Sequence, residues 1–308
     1  MIWHALATYE WAGSATPALV VDGKGFDLSA LPPECRSKAL EGLVAGGLLA
    51  GLSDWPAVAA ELARLAEDMQ AGRVSLRPVP DTARLVQPFT PHRIFAAASN
   101  FIEHANEMGT VLAAKAESAP YVFMKASTSV IGPDEAVVLP PASKQVDWEV
   151  ELAAVIGKGG RNISAAAALD HVAAYTIMND ISARDLTRRS DYPFKFDWFR
   201  GKSFDTFGPF GPWLVPASVV GDPQKLGLRL EVNGAVKQDD TTASMIFSVA
   251  EQIAYLSSIL TLQPGDVIAT GTPDGVGMGT GTYLKGGDTI VATIERIGSL
   301  RNPVVGPA

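Results

Sequence analysis

The order of hydrophobic and polar positions divides the chain into a short region with two helices and a longer region rich in strands. Residues 1–30 alternate apolar and polar side chains around a turn at 22–25, which predicts a β-hairpin. Two helical stretches follow, and the second has Asp54 before its first turn and Gly72 just past its end. Four prolines between residues 78 and 91 then break the pattern, so we predict a domain boundary near residue 85.

Beyond that boundary most apolar runs are too short for helices. Helices are predicted over 101–117, within 164–175 and over 243–260. Gly, Pro and Asp separate the β-type runs, which cover residues 122–131, 137–139, 146–156, 172–179, 211–215, 227–233, 266–270 and 288–296. Many short strands with few helices favour a β-rich α+β fold over a doubly wound α/β fold.

Composition narrows the classes of partner and site. The net charge of −8 argues against a nucleic acid partner, since phosphate binding needs a basic surface. A single cysteine, Cys35, excludes a disulfide framework and a cysteine-based zinc site. The most apolar window, 42–52, is well short of the roughly 20 residues of a membrane span, and the N-terminus lacks the features of a signal peptide. We therefore expect a soluble, cytoplasmic protein without a membrane partner.

The run 146–152 alternates apolar side chains with three carboxylates, Asp147, Glu149 and Glu151. In a β-strand these three share one face, and neighbours on that face lie about 6–7 Å apart, so two of them can hold one cation. A solvated strand face is the alternative. The run continues into a stretch that is apolar on both faces, however, and charges beside a buried run need a partner.

Asp180 is a further candidate ligand, because it stands at the end of the predicted strand 172–179; a simple turn residue would stand there equally well. Three oxygen ligands without cysteine or a nearby histidine suit Mg²⁺ or Mn²⁺ better than zinc. Three carboxylates and one divalent ion leave a net negative charge. An anionic substrate therefore needs additional cations, and Arg184 and Lys202 lie close by in the sequence.

Of the four histidines, only His104 has a neighbouring residue that would suit a general base. His104 and Glu107 are i and i+3 on a predicted helix and so lie on one face. A carboxylate beside an imidazole orients the ring and raises its basicity, as a general base requires. An ordinary surface pair has the same spacing.

The glycine-rich stretch 269–284 lacks the Gly-Lys-Ser/Thr ending of a phosphate loop. Its backbone N–H groups and the Thr272 hydroxyl could hold a carboxylate or an oxyanion. A glycine-rich hairpin connection is the alternative.

Six segments follow one another along the chain: "SNFIEHANEMG", "KASTSVIGP", "DWEVELAAVIGK", "MNDISARD", "GKSFDTFGPFGPWLV" and "PGDVIATGTPDGVG". Taken together and in this order, they resemble the fumarylacetoacetate hydrolase family. The resemblance implies a mixed β-sandwich roll over 86–308, a small α/β accessory domain over 1–85, and a homodimer that binds Mg²⁺ or Mn²⁺, with Ca²⁺ possible in a crystal.

The resemblance also implies roles for individual residues. Asp147 is not a usual ligand of the family and has no assigned role. Thr187 stands where hydrolytic members often have glutamine, which leaves the substrate open. The implied metal ligands are Glu149, Glu151 and Asp180, the implied catalytic residues are His104, Glu107 and Lys202, and the implied substrate contacts are Lys125, Arg184 and Thr272.

The function that this resemblance implies is hydrolysis of a carbon–carbon bond in a 2,4-diketo acid of the acylpyruvate type. His104, oriented by Glu107, would activate the water, and Lys202 would help to stabilise the enolate that leaves. The same enolate chemistry allows decarboxylation or isomerisation of a keto diacid, or dehydration of a 2-keto-3-deoxy sugar acid. A non-catalytic metal-binding protein is the alternative of another class.

Overall fold

The N-terminal alternation forms a meander of three strands. In the computed structural model, which describes residues 2–109 and 111–307, antiparallel pairing joins β1 (His4–Trp11) to β2 (Ser14–Val21) and β2 to β3 (Lys24–Asp27). The predicted turn at 22–25 lies at the β2–β3 connection. A second turn at 12–13 adds a strand that the predicted hairpin did not include.

Two helices follow, α1 (Lys38–Gly51) and α2 (Trp55–Gln70). Asp54 precedes α2 and the helix ends before residue 72, as predicted. The stretch from 38 to 70 is the one segment of the described residues that is long and apolar enough to cross a membrane by length and composition. Gly47 has non-helical angles (φ 72°, ψ −175°) that interrupt it. The two helices pack on each other and on β2, as core helices do.

The rest of the chain is built from short strands and shorter helices, which confirms the β-rich α+β class. The strands are β4 (Arg84–Val86), β5 (Ile94–Ala98), β6 (Tyr121–Lys125), β7 (Val130–Ile131), β8 (Val137–Val138), β9 (Val146–Asp147), β10 (Val150–Ile156), β11 (Val172–Asn179), β12 (Ser182–Ala183), β13 (Gly208–Pro216), β14 (Gly227–Val232), β15 (Ala235–Thr241), β16 (Val267–Ala269), β17 (Thr289–Ile294) and β18 (Gly298–Val305). The remaining α-helices are α3 (Ile102–Glu107), α4 (Trp198–Lys202), α5 (Ala217–Val220), α6 (Val249–Ile259) and α7 (Gly277–Thr280).

Predicted helices in this region are shorter than their apolar patterns. The one over 101–117 is α-helical only in α3, and its Thr110 lies outside the described residues. The one within 164–175 is a 3₁₀ helix, Ala165–His171, which runs directly into β11. The one over 243–260 is an α-helix only from Val249, the first residue of α6. The Ser248 hydroxyl accepts a hydrogen bond from the Glu251 N–H and forms a capping box that starts the helix there.

Two large sheets enclose the main core. One follows the order β3-β2-β1-β13-β11-β10-β16-β5-β6, with β4 beside β1 and β7 beside β13, and the other follows β15-β14-β17-β18-β8. Strand β10 shows why both of its faces are apolar. Leu152 and Ala154 belong to the core cluster shared with the second sheet, whereas Ala153 and Val155 belong to the cluster under α1 and α2.

The N-terminal segment and the rest of the chain share a sheet and a core. Strand β1 pairs with β13, and Leu62 of α2 belongs to the same buried cluster as Ala153 and Ala173. The domain boundary near residue 85 stays a prediction, but the shared core has a consequence for stability.

Replacing Leu62 with alanine should lower the free energy of unfolding of the protein by about 2–5 kcal/mol, because the side chain is fully buried and its loss leaves a cavity. Urea unfolding followed by circular dichroism and tryptophan fluorescence should show one shifted transition. Glu67→Ala, at an exposed position of the same helix, is the control. Earlier loss of the helical signal with an unshifted fluorescence transition would show that the two parts unfold independently.

Candidate metal and active site

The predicted strand over 146–156 is interrupted where its carboxylates begin. Strand β9 ends at Asp147 and β10 begins at Val150. In the gap the Trp148 N–H donates to Asp147 Oδ1 (2.8 Å) and the Glu149 N–H donates to Asn179 Oδ1 (2.9 Å). Simple alternation therefore does not continue through this segment, and Asp147 has different partners from the two glutamates.

Glu149, Glu151 and Asp180 converge on one point. One carboxylate oxygen from each lies within 4.8 Å of the others, and the three residues are at most 3% exposed. Asp180 comes directly after β11, and its N–H donates to the Glu149 carbonyl (2.9 Å).

The environment of Glu151 tests whether this cluster fits a cation. The Gly271 N–H donates to Glu151 Oε2 (2.8 Å), whereas Oε1 is buried without a hydrogen bond among the described residues. A buried carboxylate oxygen normally has a partner, and three convergent carboxylates are the oxygen ligands that Mg²⁺ and Mn²⁺ prefer. The residues present fit such an ion.

Two lysines contact the same cluster. Lys202 Nζ donates to Glu149 Oε2 (2.7 Å) and to Asp180 Oδ2 (2.6 Å). Lys125 Nζ donates to Asp180 Oδ1 (2.6 Å) and to the Lys202 carbonyl oxygen. Both ammonium groups are buried, so each needs these carboxylates as partners.

The surroundings shift the pKa values of the cluster in opposite directions. Burial opposes ionisation of Glu149, but Arg184 and Lys202 outweigh it and hold the Glu149 pKa well below its ordinary value. Burial raises the pKa of Glu151, and Asp180 and Glu149 raise it further. Burial opposes the charge of Lys202, but Asp180 and Glu149 outweigh it and raise the Lys202 pKa. A divalent cation at the cluster would therefore favour the ionised form of Glu151.

Arg184 joins Asp147 to the cluster. Its Nε donates to Asp147 Oδ2 (2.8 Å), and its Nη2 forms a 2.6 Å ion pair with Glu149 Oε1, at an angle that is not that of a hydrogen bond. Arg184 thus orients a metal-ligand candidate. Its role in substrate binding stays a prediction.

His104 and Glu107 lie on α3, with 3.7 Å between His104 Nδ1 and Glu107 Oε2. That distance is too long for a hydrogen bond, and Nδ1 is buried without another partner among the described residues. The Glu107 carboxylate accepts from the N–H groups of Gly275 (3.1 Å) and Val276 (3.4 Å). His104 also lies near enough to Glu149 to help lower the pKa of that carboxyl, so the pair and the cluster are adjacent.

A cavity of about 850 Å³ lies beside the carboxylate cluster and α3, and both Glu149 and His104 line it. Lys125 is not among the described residues that line it, and its role as a substrate contact stays a prediction. The polar groups on its wall include His104, Glu149, Arg184, Lys202 and Thr272, and the apolar ones include Ile102, Leu112, Tyr121, Phe196 and Phe247.

The Thr272 hydroxyl already has two partners. It donates to the Val150 carbonyl (2.9 Å) and accepts from Gln238 Nε2 (2.8 Å), while Gln238 Oε1 accepts from the Val150 N–H (3.0 Å). Gln238 lies on β15 of the second sheet, and no motif in the sequence marks it as part of the site. It fixes Thr272 and the start of β10 together, and a contact between Thr272 and substrate stays a prediction.

Thr187 occupies the position for which the sequence resemblance implies glutamine in hydrolytic members. Its hydroxyl donates to the Arg184 carbonyl (2.8 Å). A Cβ atom on Gly201 would lie 2.3 Å from Thr187 Cγ2, so the side chain is closely packed. Threonine thus supplies a local backbone contact at this part of the cavity wall instead of an amide.

An aromatic stack lies beside Lys202. The rings of Phe123 and Trp198 are stacked, with centroids 5.4 Å apart, and Lys202 Nζ lies 5.0 Å and 5.9 Å from these two centroids. The lysine is therefore held by cation–π contacts as well as by two carboxylates.

Comparison with known proteins finds a matching family and several similar enzymes. Residues 93–305 match the family described as fumarylacetoacetate (FAA) hydrolase C-terminal. The human mitochondrial oxaloacetate tautomerase FAHD2B is 41% identical over 238 residues, which are 76% of this chain and 73% of that protein.

Two solved structures resemble the whole chain. One is a 2-hydroxyhepta-2,4-diene-1,7-dioate isomerase from Mycobacterium marinum, 31% identical with a TM-score of 0.72 and 98% of each chain covered. The other is the maleylpyruvate hydrolase of Sphingobium sp. SYK-6 in complex with manganese(II) and pyruvate, 28% identical with a TM-score of 0.76, covering 99% of this chain and 100% of that one. The relatives are thus enzymes of three kinds: a tautomerase, an isomerase and a hydrolase.

Proposed function

Because this chain belongs to the fumarylacetoacetate hydrolase family, we propose that it is a Mg²⁺- or Mn²⁺-dependent enzyme that interconverts the keto and enol forms of a 2-keto dicarboxylic acid of the oxaloacetate class. The observation that carries the proposal is that one cavity is lined both by Glu149 of the buried three-carboxylate cluster and by His104 of the His104–Glu107 pair. The 41% identity to an oxaloacetate tautomerase supports this reaction type.

Tautomerisation moves a proton between C3 of the substrate and the oxygen on C2, while the double bond shifts between C2–O and C2–C3, and no bond of the carbon skeleton is broken. Since Nδ1 of His104 faces Glu107, Nε2 is the ring nitrogen left to take the proton from C3 and to return it in the reverse direction. Glu107, fixed by two backbone N–H groups, stabilises the imidazolium that forms. The oxygen on C2 exchanges its proton with solvent.

Negative charge develops on that oxygen as the proton leaves C3. Lys202 stays protonated because its two carboxylate partners raise its pKa, so it can donate a hydrogen bond to the developing charge. A divalent ion held by Glu149, Glu151 and Asp180 would supply Lewis-acid stabilisation at the same position. Arg184, also on the cavity wall, favours an anionic substrate.

Hydrolysis of a carbon–carbon bond in a 2,4-diketo acid is the second candidate. The same His104–Glu107 pair could deprotonate a water molecule, and the likeness to a maleylpyruvate hydrolase in complex with manganese(II) and pyruvate favours this reaction. Thr187 supplies no side-chain amide to the cavity wall, because its side chain is a hydroxyl that donates to the Arg184 carbonyl.

A substrate panel separates the two reactions. With Mn²⁺ or Mg²⁺ added, the loss of the enol absorbance of oxaloacetate should accelerate without release of carbon dioxide, and acylpyruvates should release little pyruvate. The control is the same assay after chelation of the metal, in which the acceleration disappears. Rapid pyruvate release from acylpyruvates with an unchanged enol decay would favour hydrolysis instead, and carbon dioxide release would favour decarboxylation.

A further inference from the structure

Four successive backbone N–H groups of the segment 275–278 hold two carboxylates from different parts of the site. Those of Gly275 and Val276 donate to Glu107 on α3. Those of Gly277 and Met278 donate to the carboxylate at position 147, to Oδ1 (2.6 Å) and Oδ2 (3.0 Å) respectively. One half of the segment therefore binds the helix that carries His104, and the other half binds β9.

We propose that Asp147 is a positioning residue, which fixes the segment 275–278 so that Glu107, and with it His104, docks beside the metal-ligand cluster. This inference rests on the proposed function, in which His104 and Glu107 transfer the proton. Asp147 is 0% exposed, and both of its oxygens are already used. Neither oxygen is therefore left for a metal ion or a substrate.

The four donors around Asp147 make its charge necessary. The Trp148 and Gly277 N–H groups donate to Oδ1, and the Met278 N–H and Arg184 Nε donate to Oδ2. An asparagine amide accepts only through its oxygen, and its NH₂ group would face two of these donors. Asparagine thus fills the same volume but cannot hold both the segment and Arg184.

Gly277 in the segment and Gly279 just after it show how closely the backbone fits between the two carboxylates. A Cβ atom on Gly277 would lie 2.0 Å from the Thr282 carbonyl oxygen and 2.7 Å from Asp147 Oδ1. A Cβ atom on Gly279 would lie 2.0 Å from Glu107 Oε1. Because close-packed groups transmit displacements, a shift of the segment at Asp147 also moves the N–H groups that Glu107 needs.

Hydrogen exchange of the Mg²⁺-loaded protein tests the proposal. In Asp147→Asn the amides of residues 105–108 should exchange at least about tenfold faster than in the wild type, because loss of charged hydrogen bonds undocks α3. Amides in the centres of β10 and β11 should not change. Asp222→Asn is the matched control, since Asp222 also accepts a backbone N–H, from Gln224, but at an exposed position in the connection between α5 and β14.

Gly279→Ala is the second variant, because it displaces Glu107 without adding an atom against Asp147. It should accelerate the same amides, and the double variant should exchange no faster than the faster single one, since both changes undock one helix. Unchanged exchange of residues 105–108 in a folded Asp147→Asn protein would overturn the proposal. If that variant does not fold, unchanged exchange in Gly279→Ala would overturn it.

The exchange measurement needs no turnover. A protein that tautomerises no keto acid would contradict the proposed function. The exchange of residues 105–108 would still test whether Asp147 holds α3 in place. Normal turnover together with unchanged exchange in the variants would contradict only the role of Asp147.

Discussion

Replacing Glu151 with glutamine is expected to abolish metal-dependent turnover without destabilising the metal-free protein. Glu151 is fully buried, and burial, Asp180 and Glu149 all raise its pKa, so loss of this carboxylate relieves repulsion in the metal-free state. The same change removes one of three ligand groups. Activity with Mg²⁺ or Mn²⁺ should fall by at least about a thousandfold, the loss of several kcal/mol of Lewis-acid stabilisation.

Thermal or urea unfolding at several metal concentrations measures both parts of this expectation. With metal at one hundred times its Kd, the wild type should gain about 2.7 kcal/mol of unfolding free energy and the variant almost none. Glu67→Gln, an exposed glutamate on α2, should behave as the wild type does. A metal-induced gain that survives in Glu151→Gln would exclude this carboxylate as a ligand.

Replacing His104 with alanine is expected to lower kcat by about 10²–10⁴-fold, the usual contribution of a positioned general base. Metal affinity should be unchanged, because the carboxylate cluster does not include the histidine. Glu107→Gln should have a smaller effect in the same direction, since the imidazole remains but its carboxylate neighbour loses its charge.

Steady-state kinetics together with a calorimetric titration of Mn²⁺ would separate these effects. His92→Ala is the matched control, because His92 is exposed and does not line the cavity among the described residues. Full turnover by His104→Ala, on whichever keto acid the wild type uses, would remove the His104–Glu107 pair from the mechanism.

The fold class could be predicted because local patterns specify it, whereas the full set of carboxylates followed only from the resemblance to a known family. Glu149 and Glu151 stand beside an apolar run that must be buried, and Asp180 stands where a strand ends. Asp147 has the same spacing as the two glutamates, yet its role depends on an interruption of the strand that alternation alone does not contain.

The groups that hold the site residues in position could not be predicted, since they are residues distant in the chain and backbone N–H groups. Gln238 reaches Val150 across 88 positions because two sheets pack together. The N–H groups of Gly275 and Val276 would be donors whatever their side chains, so no residue type marks them. The homodimer, the cytoplasmic location, the domain boundary and the assigned substrate contacts stay predictions.

The setting of Lys202 has a thermodynamic consequence for ligand binding. A free lysine side chain carries about 2 kcal/mol of rotamer entropy, but here two carboxylates and two aromatic rings already restrict the chain before any ligand arrives. The Lys202 side chain therefore loses its rotamer entropy on folding and not on ligand binding. A keto acid that binds beside Lys202 meets a cation already in place, so more of the contact energy appears as affinity.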